Sequence, residues 1–296
     1  MDWNGDGHLD ALLGGYAGDV MLFPGKAGGG FHGGSLLTFA DGKRFIHTVG
    51  KNKDGTTKED AGAMIWCVDW DQDGDLDILS GWFYGGLFLS RNVGSSTNPK
   101  LSATFEAIQS DGKDIEWGYQ LQPCMVDWDG DGRKDVIYSS QVTAKSGRGS
   151  VSWCRNLSDD GEPRLGPSEV LVWSGPPSQI IAPELGLERE FSGALAAVAT
   201  DWDGDGKVDL IVSDLAWLSQ PLPGLQDDGR KRLQEVAVLM KKQARPDAFA
   251  GMTDGESRGV QRELSRERNK VAKSVRRGTT RGRLWLVRRR DQVEQK

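Results

Sequence analysis

Histidine and cysteine each occur only three times in 296 residues, and that scarcity removes several chemistries at once. His8, His32 and His47 form no HExxH zinc helix, and no GxSxG nucleophile elbow is present. Cys67, Cys124 and Cys154 lie 57 and 30 residues apart, spacings that fit neither a disulfide framework nor a CxxC metal knuckle. They read as buried thiols. No apolar run approaches the ~18 to 20 residues of a membrane span, so none is expected. The chain opens Met-Asp-Trp-Asn without the basic segment and apolar run of a secretory leader.

Acids and glycine are what the sequence has in quantity. A net charge of -6 divides unevenly: residues 226–296 carry 20 Lys and Arg against 10 Asp and Glu, leaving 17 against 33 in residues 1–225. The acidic excess is concentrated in a pattern that returns four times. It reads Asp2-Trp-Asn-Gly-Asp-Gly-His-Leu-Asp10, Asp69-Trp-Asp-Gln-Asp-Gly-Asp-Leu-Asp77, Asp127-Trp-Asp-Gly-Asp-Gly-Arg-Lys-Asp135 and Asp201-Trp-Asp-Gly-Asp-Gly-Lys-Val-Asp209. Successive starts are 67, 58 and 74 residues apart, a period that suits one antiparallel unit of four short strands with loops.

The flanks read as strands. Ala63–Val68, Gln122–Val126 and Ala194–Thr200 precede the loops, and short apolar runs such as Ile78-Leu79, Val136-Ile137 and Leu210–Val212 follow them. A third apolar segment follows in each copy: Val20–Phe23, Leu87–Leu89, Val151–Cys154 and Leu284–Val287. The first copy begins at its loop, so its entering strand is missing and the chain is expected to be a piece of a longer protein. In the fourth copy an insertion separates the second and third strands. Leu233, Val236, Ala237 and Met240 recur there at helical spacing, as do Val260, Leu264, Val271 and Val275 more sparsely, which predicts a charged helical hairpin. The expected organisation is repeats over 1–217, the helical insertion over 218–281 and the returning strand over 282–296.

Each nine-residue loop offers oxygen ligands at positions 1, 3, 5 and 9, with glycine at position 6. A hard cation such as Ca²⁺ takes ~6 to 8 oxygens, and alternating carboxylates on a tight loop converge on one point. The expected ligands are Asp2, Asn4, Asp6 and Asp10; Asp69, Asp71, Asp73 and Asp77; Asp127, Asp129, Asp131 and Asp135; and Asp201, Asp203, Asp205 and Asp209. Position 7 is His8, Asp75, Arg133 or Lys207, an indifference to side chain that implies a backbone carbonyl ligand. Up to four Ca²⁺ are expected; the first site is the weakest, since Asn4 removes a charge. An EF-hand is excluded because its twelfth position holds Leu13, Ser80, Tyr138 and Val212. Without the 15 aspartates at positions 1, 3, 5 and 9 of the loops, residues 1–225 hold 18 acids against 17 bases, so the negative charge of this region is almost entirely loop carboxylate.

The four loops, with the strands Asp10-Ala-Leu-Leu-Gly-Gly, Asp77-Ile-Leu-Ser-Gly, Asp135-Val-Ile-Tyr-Ser and Asp209-Leu-Ile-Val-Ser and the exits Leu89-Ser-Arg-Asn-Val-Gly94 and Cys154-Arg-Asn-Leu157, resemble the FG-GAP or VCBS repeat. The resemblance covers about three quarters of the chain and omits the helical insertion. It implies an all-β fold, a β-propeller of antiparallel blades with integrin-like calcium loops, here about four and truncated.

In such a unit the acidic loops and the turns between second and third strands lie at opposite ends. A ligand is expected on the turn side, with Tyr16, Trp82, Tyr84 and Trp217 as candidate contacts and the 139–150 loop nearby. Trp3, Trp70, Trp128 and Trp202, placed identically in each loop, are expected to pack between units, and Trp66, Trp153 and Trp285 to lie in the core. The Gly28, Gly30, Gly33 match to a dinucleotide loop is chance, since no helix follows. The basic insertion, with Arg262, Arg266, Lys270, Lys273, Arg276 and Arg277, reads as a solvated face, and its interspersed Glu263 and Glu267 argue against nucleic acid. The sequence therefore favours a non-enzymatic calcium-binding module for a glycan or protein, located at the cell surface, in the periplasm or outside the cell, because weak calcium sites fill only where calcium is millimolar. The alternative is a polysaccharide-cleaving lyase or hydrolase on the same scaffold, although no carboxylate pair can be singled out for it.

Overall fold

A computed structural model describes residues 1–115, 118–143, 149–158, 162–174, 178–188, 196–243 and 251–287. The chain is mostly antiparallel sheet, and the second, third and fourth acidic loops each join two neighbouring strands of one sheet. The first sheet contains Ala11–Gly14, Val20–Phe23 and Ser35–Leu36. The second is a four-stranded meander of Met64–Val68, Asp77–Gly81, Leu87–Ser90 and Glu106–Ala107. The third repeats that order with Gln122–Val126, Asp135–Ser140, Ser150–Asn156 and Leu165–Trp173, and adds two short strands, Gln109–Ser110 and Lys113–Asp114, at its edge. In the fourth, Asp209–Pro221 pairs along its length with Val275–Val287, and Ala196–Thr200 and Ser178–Ile180 line its other side. A closed ring of blades is not formed among the described residues.

The sheets stack, and the sequence shows why. Adjacent strand residues point to opposite faces. Ile78 joins Trp3, Val20, Phe45 and Trp82 in a core with the first sheet, whereas Leu79 joins Trp70, Leu121 and Val136 in a core with the third. Val136 and Ile137 divide in the same way, Ile137 packing with Cys124, Val151 and Val212 beside the fourth sheet. A strand covered on both faces has no polar side to show, which is why these runs are apolar throughout.

Close approach between sheets depends on glycine. A side-chain carbon on Gly14 would lie 2.0 Å from the Ala63 carbonyl oxygen, and one on Gly81 would lie 1.8 Å from that of Leu121. Gly14 and Gly81 are both four residues beyond the last loop aspartate, so the same contact joins the first sheet to the second and the second to the third.

The helical hairpin forms, but within narrower limits than 218–281. Strand pairing continues to Pro221 and resumes at Val275, so the insertion extends a long β-hairpin before turning into α1, Asp227–Gln243, and α2, Asp254–Val271. Leu233, Val236, Met240 and Val271 are buried together with Ile180, and Arg232 ties the helices by pairing with Glu267. Arg262, Arg266, Lys270, Lys273 and Arg276 are exposed, as a solvated face requires. Pro246 and residues 288–296 lie outside the described residues, as do the side chains of Leu264 and Arg277. No described helix is long and apolar enough to cross a membrane.

Gly81→Ala should therefore lower stability by roughly 1–3 kcal/mol, the usual cost of overpacking. Gly33→Ala, with nothing within 4 Å of the added carbon, should leave the urea midpoint unchanged. Equal midpoints for both variants would contradict the close approach of the sheets.

Candidate metal centre

One hydrogen-bond pattern shapes all four loops. The first aspartate accepts from the N–H of the glycine five residues on: Gly7 to Asp2 at 2.9 Å, Gly74 to Asp69 at 3.2 Å, Gly132 to Asp127 at 2.9 Å and Gly206 to Asp201 at 3.0 Å. These glycines have φ between 84° and 92°, a region closed to most side chains. The fifth-position aspartate accepts from the N–H two residues later, so Asp6, Asp73, Asp131 and Asp205 are each fixed by residue 7 of the loop.

The ninth-position aspartate is held differently. Asp10, Asp77, Asp135 and Asp209 are all buried. Asp77 Oδ2 accepts from Trp70 N at 3.1 Å and Oδ1 from Asn92 N at 2.7 Å. Asp10 accepts in the same way from Trp3 and Gly25, and Asp135 from Trp128 and Asn156, with the Trp153 indole N–H at 2.9 Å as a third donor. This carboxylate clamps the loop to the exit of the third strand, a duty that the ligand reading alone does not contain. Burial raises the pKa of Asp77 to about 6 and also raises that of Asp135 from its ordinary value.

Three loops bring carboxylate oxygens within 4.8 Å of one another: Asp69, Asp71 and Asp73; Asp127, Asp129 and Asp135; and Asp201, Asp203 and Asp205. Such groups could hold a metal ion. The first loop is not among them. There Asn4 donates to Asp6 Oδ2 at 3.1 Å, so its amide takes up a carboxylate oxygen that the aspartate of the other copies would leave to a cation.

The second loop is the most enclosed. Oδ1 of Asp69, Asp71 and Asp75 are buried without a hydrogen-bond partner. Asp75 is only 8% exposed, and burial together with Asp73, Asp71 and Asp69 raises its pKa. Its side chain therefore joins the acidic cluster, whereas the sequence assigned that position to the backbone carbonyl alone. Three buried, unpartnered carboxylate oxygens are a costly arrangement that a cation would satisfy. At Arg133 and Lys207 the side chain cannot play this part, and Arg133 instead pairs with Asp131.

Arginines at the third-strand exits supply partial counter-charge. Arg91 Nη1 lies 3.0 Å from Asp71 Oδ2, and Arg155 reaches Asp129 at 2.6 Å and Asp131 at 2.8 Å. The signal for them is the Arg-Asn pair repeated at 91–92 and 155–156.

On the turn side the candidate contacts separate. Trp82 is fully buried with its indole N–H on Ser80 Oγ at 3.0 Å, so its ring face is closed to a ligand. The Trp217 side chain lies outside the described residues. Tyr16 and Tyr84 are exposed and share a cluster with Phe83 and Tyr119, the Phe83 ring centroid lying 6.4, 5.4 and 5.6 Å from those of Tyr16, Tyr84 and Tyr119. Lys58 Nζ lies 4.3 Å from the centre of the Tyr84 ring. Backbone bonds from Gly62 to Tyr16, Phe83 to Ala61 and Gln120 to Phe83 tie these loops together.

The loop tryptophans follow the stacking. Trp3 and Trp70 are buried and Trp128 packs partly against the third core, but Trp202 is 62% exposed, contrary to its expected packing. No further sheet covers it among the described residues. Trp66, Trp153 and Trp285 pack against cores as expected. All three cysteines are free thiols, and burial pushes Cys67 up to about 12 and Cys124 to about 11. His47, which carries no motif, pairs with the buried Asp60 at 3.1 Å among the rings of Trp82, Phe88 and Phe105. Comparison with models of known protein families gives no match, and comparison with characterised proteins gives none either.

In chelator-treated protein, Asp75→Asn should raise the urea midpoint by relieving carboxylate repulsion. Asp77→Ala should lower stability by on the order of 2 kcal/mol, because two buried N–H groups lose their acceptor. Changes of the same sign would contradict the division into a repulsive cluster and a structural clamp.

Proposed function

We propose that the chain is a calcium-stabilised repeat module of the FG-GAP or VCBS kind, with its sheets arranged as propeller blades, that binds a glycan or protein outside the cytoplasm. The observation that carries the metal is the set of buried, unpartnered oxygens of Asp69, Asp71 and Asp75. Calcium suits it better than magnesium, because a flexible all-oxygen set of ~6 to 8 ligands is what calcium takes, whereas magnesium keeps its water and wants strict octahedral geometry. Loops 2, 3 and 4 are the stronger sites and loop 1 the weakest.

The metal has a structural role in this reading. At ~2 mM calcium and a Kd of ~10⁻⁴ to 10⁻³ M, each filled site adds roughly 0.6 to 1.8 kcal/mol of stability. Sites of that strength stay filled only where calcium is millimolar, which supports an extracytoplasmic location. Partner binding is assigned to the turn side, where Tyr16 and Tyr84 are exposed on a backbone held by its neighbours.

The thermal midpoint should rise in steps of calcium concentration after EDTA treatment, and magnesium at the same concentrations should raise it less. Asp69→Ala combined with Asp71→Ala should remove part of that rise. A cooperative melt indifferent to calcium would overturn the metal assignment.

A further inference from the structure

We propose that a hydroxyl-lined cleft on the third sheet, bordered by Ser110, Ile115 and Leu121, binds a neutral saccharide. The proposal rests on the reading of the chain as a binding module and is independent of the metal. The cleft encloses about 380 Å³, within the ~300–1,000 Å³ of small-ligand sites. It lies toward the turn end of the third sheet, where Asp135–Ser140 ends and Ser150–Asn156 begins, and away from the acidic loop that enters at Asp135.

Strand register builds its floor. Ser140 faces Ser150 and Tyr138 faces Ser152 across one strand pair, so all four side chains project from the same side of the sheet. Ser140, Ser150 and Ser152 are at most 3% exposed. Among the described residues their hydroxyls meet only one another, at 3.4 and 3.5 Å, well beyond the ~2.7–2.8 Å of a good hydroxyl bond. Tyr138 OH does better, at 2.8 Å from Ser168 Oγ. Buried hydroxyls so weakly served call for a partner that both donates and accepts.

A sugar supplies that chemistry, because each of its hydroxyls donates and accepts as serine and tyrosine do. Its C–H face needs apolar cover, and Leu121, Val170 and Trp173 line the same cleft. The rim holds Asp111 and Asp114 against Lys113, a net negative charge that disfavours uronates and other anions. Neutral saccharide is therefore the class that fits.

The test is saturation-transfer NMR on the calcium-loaded chain with trisaccharides of β-1,4-glucose, β-1,4-xylose and β-1,3-glucose, and with trigalacturonate as the acidic comparator. At least one neutral trisaccharide should bind saturably below about 10 mM and more tightly than trigalacturonate. Ser152→Ala should weaken that binding at least about tenfold by removing a hydroxyl without adding bulk. Should Ser152→Ala fail to fold, Val170→Asp at the exposed rim makes the same test, with the same loss expected. No saturable binding by any neutral trisaccharide, tighter binding of the acidic one, or binding indifferent to the substitution that folds would each overturn the proposal; in the first case the cleft holds water only. A chain whose melt ignores calcium but which binds the trisaccharide would lose its metal assignment and keep the cleft.

Discussion

A buried carboxylate closing each of the first three acidic loops is the constraint from which the rest of the structure follows. Asp10, Asp77 and Asp135 each accept the N–H of the tryptophan that opens the loop and an N–H at the exit of the third strand. In the second and third sheets one side chain thus joins the start of the loop to three strands. The same tether brings the loop's other carboxylates close together, so the crowded acids are a consequence of the fold. Burial makes that clamp costly, as the raised pKa values of Asp77 and Asp135 record, and the backbone donors offset the cost.

Stacking follows from the strands that the loops connect. Because neighbouring residues such as Ile78 and Leu79 enter different cores, each inner sheet is a layer between two others. Glycine at 14 and 81 lets the layers meet at backbone distance. The turn side inherits its rigidity from this packing, and both the aromatic cluster around Phe83 and the serine-lined cleft sit on it.

Much of this was legible in the residues, and for identifiable reasons. The strands, the loops and the helical hairpin could be read because periodicity and glycine placement are local signals, and four copies of one loop made each more certain. What escaped depends on tertiary position. Trp82 and Tyr84 are two residues apart in one aromatic run, yet one is enclosed and the other exposed, which sequence spacing does not distinguish. Trp202 occupies the same loop position as Trp3 and Trp70 but lacks a covering sheet among the described residues. The side chain of Asp75 turns into its cluster because the second loop is more enclosed than the others, and the serines of the cleft carry no motif because register alone aligns them.

The most direct test of the account is luminescence of terbium, a calcium surrogate, added to chelator-treated protein and excited through tryptophan. Because Trp70, Trp128 and Trp202 each follow the first aspartate of a loop, bound terbium should be sensitised, calcium should displace it, magnesium should do so poorly, and Asp69→Ala with Asp71→Ala should remove a share of the signal. Absence of sensitised emission, or emission unaffected by calcium and by those substitutions, would show that the crowded carboxylates hold no such cation.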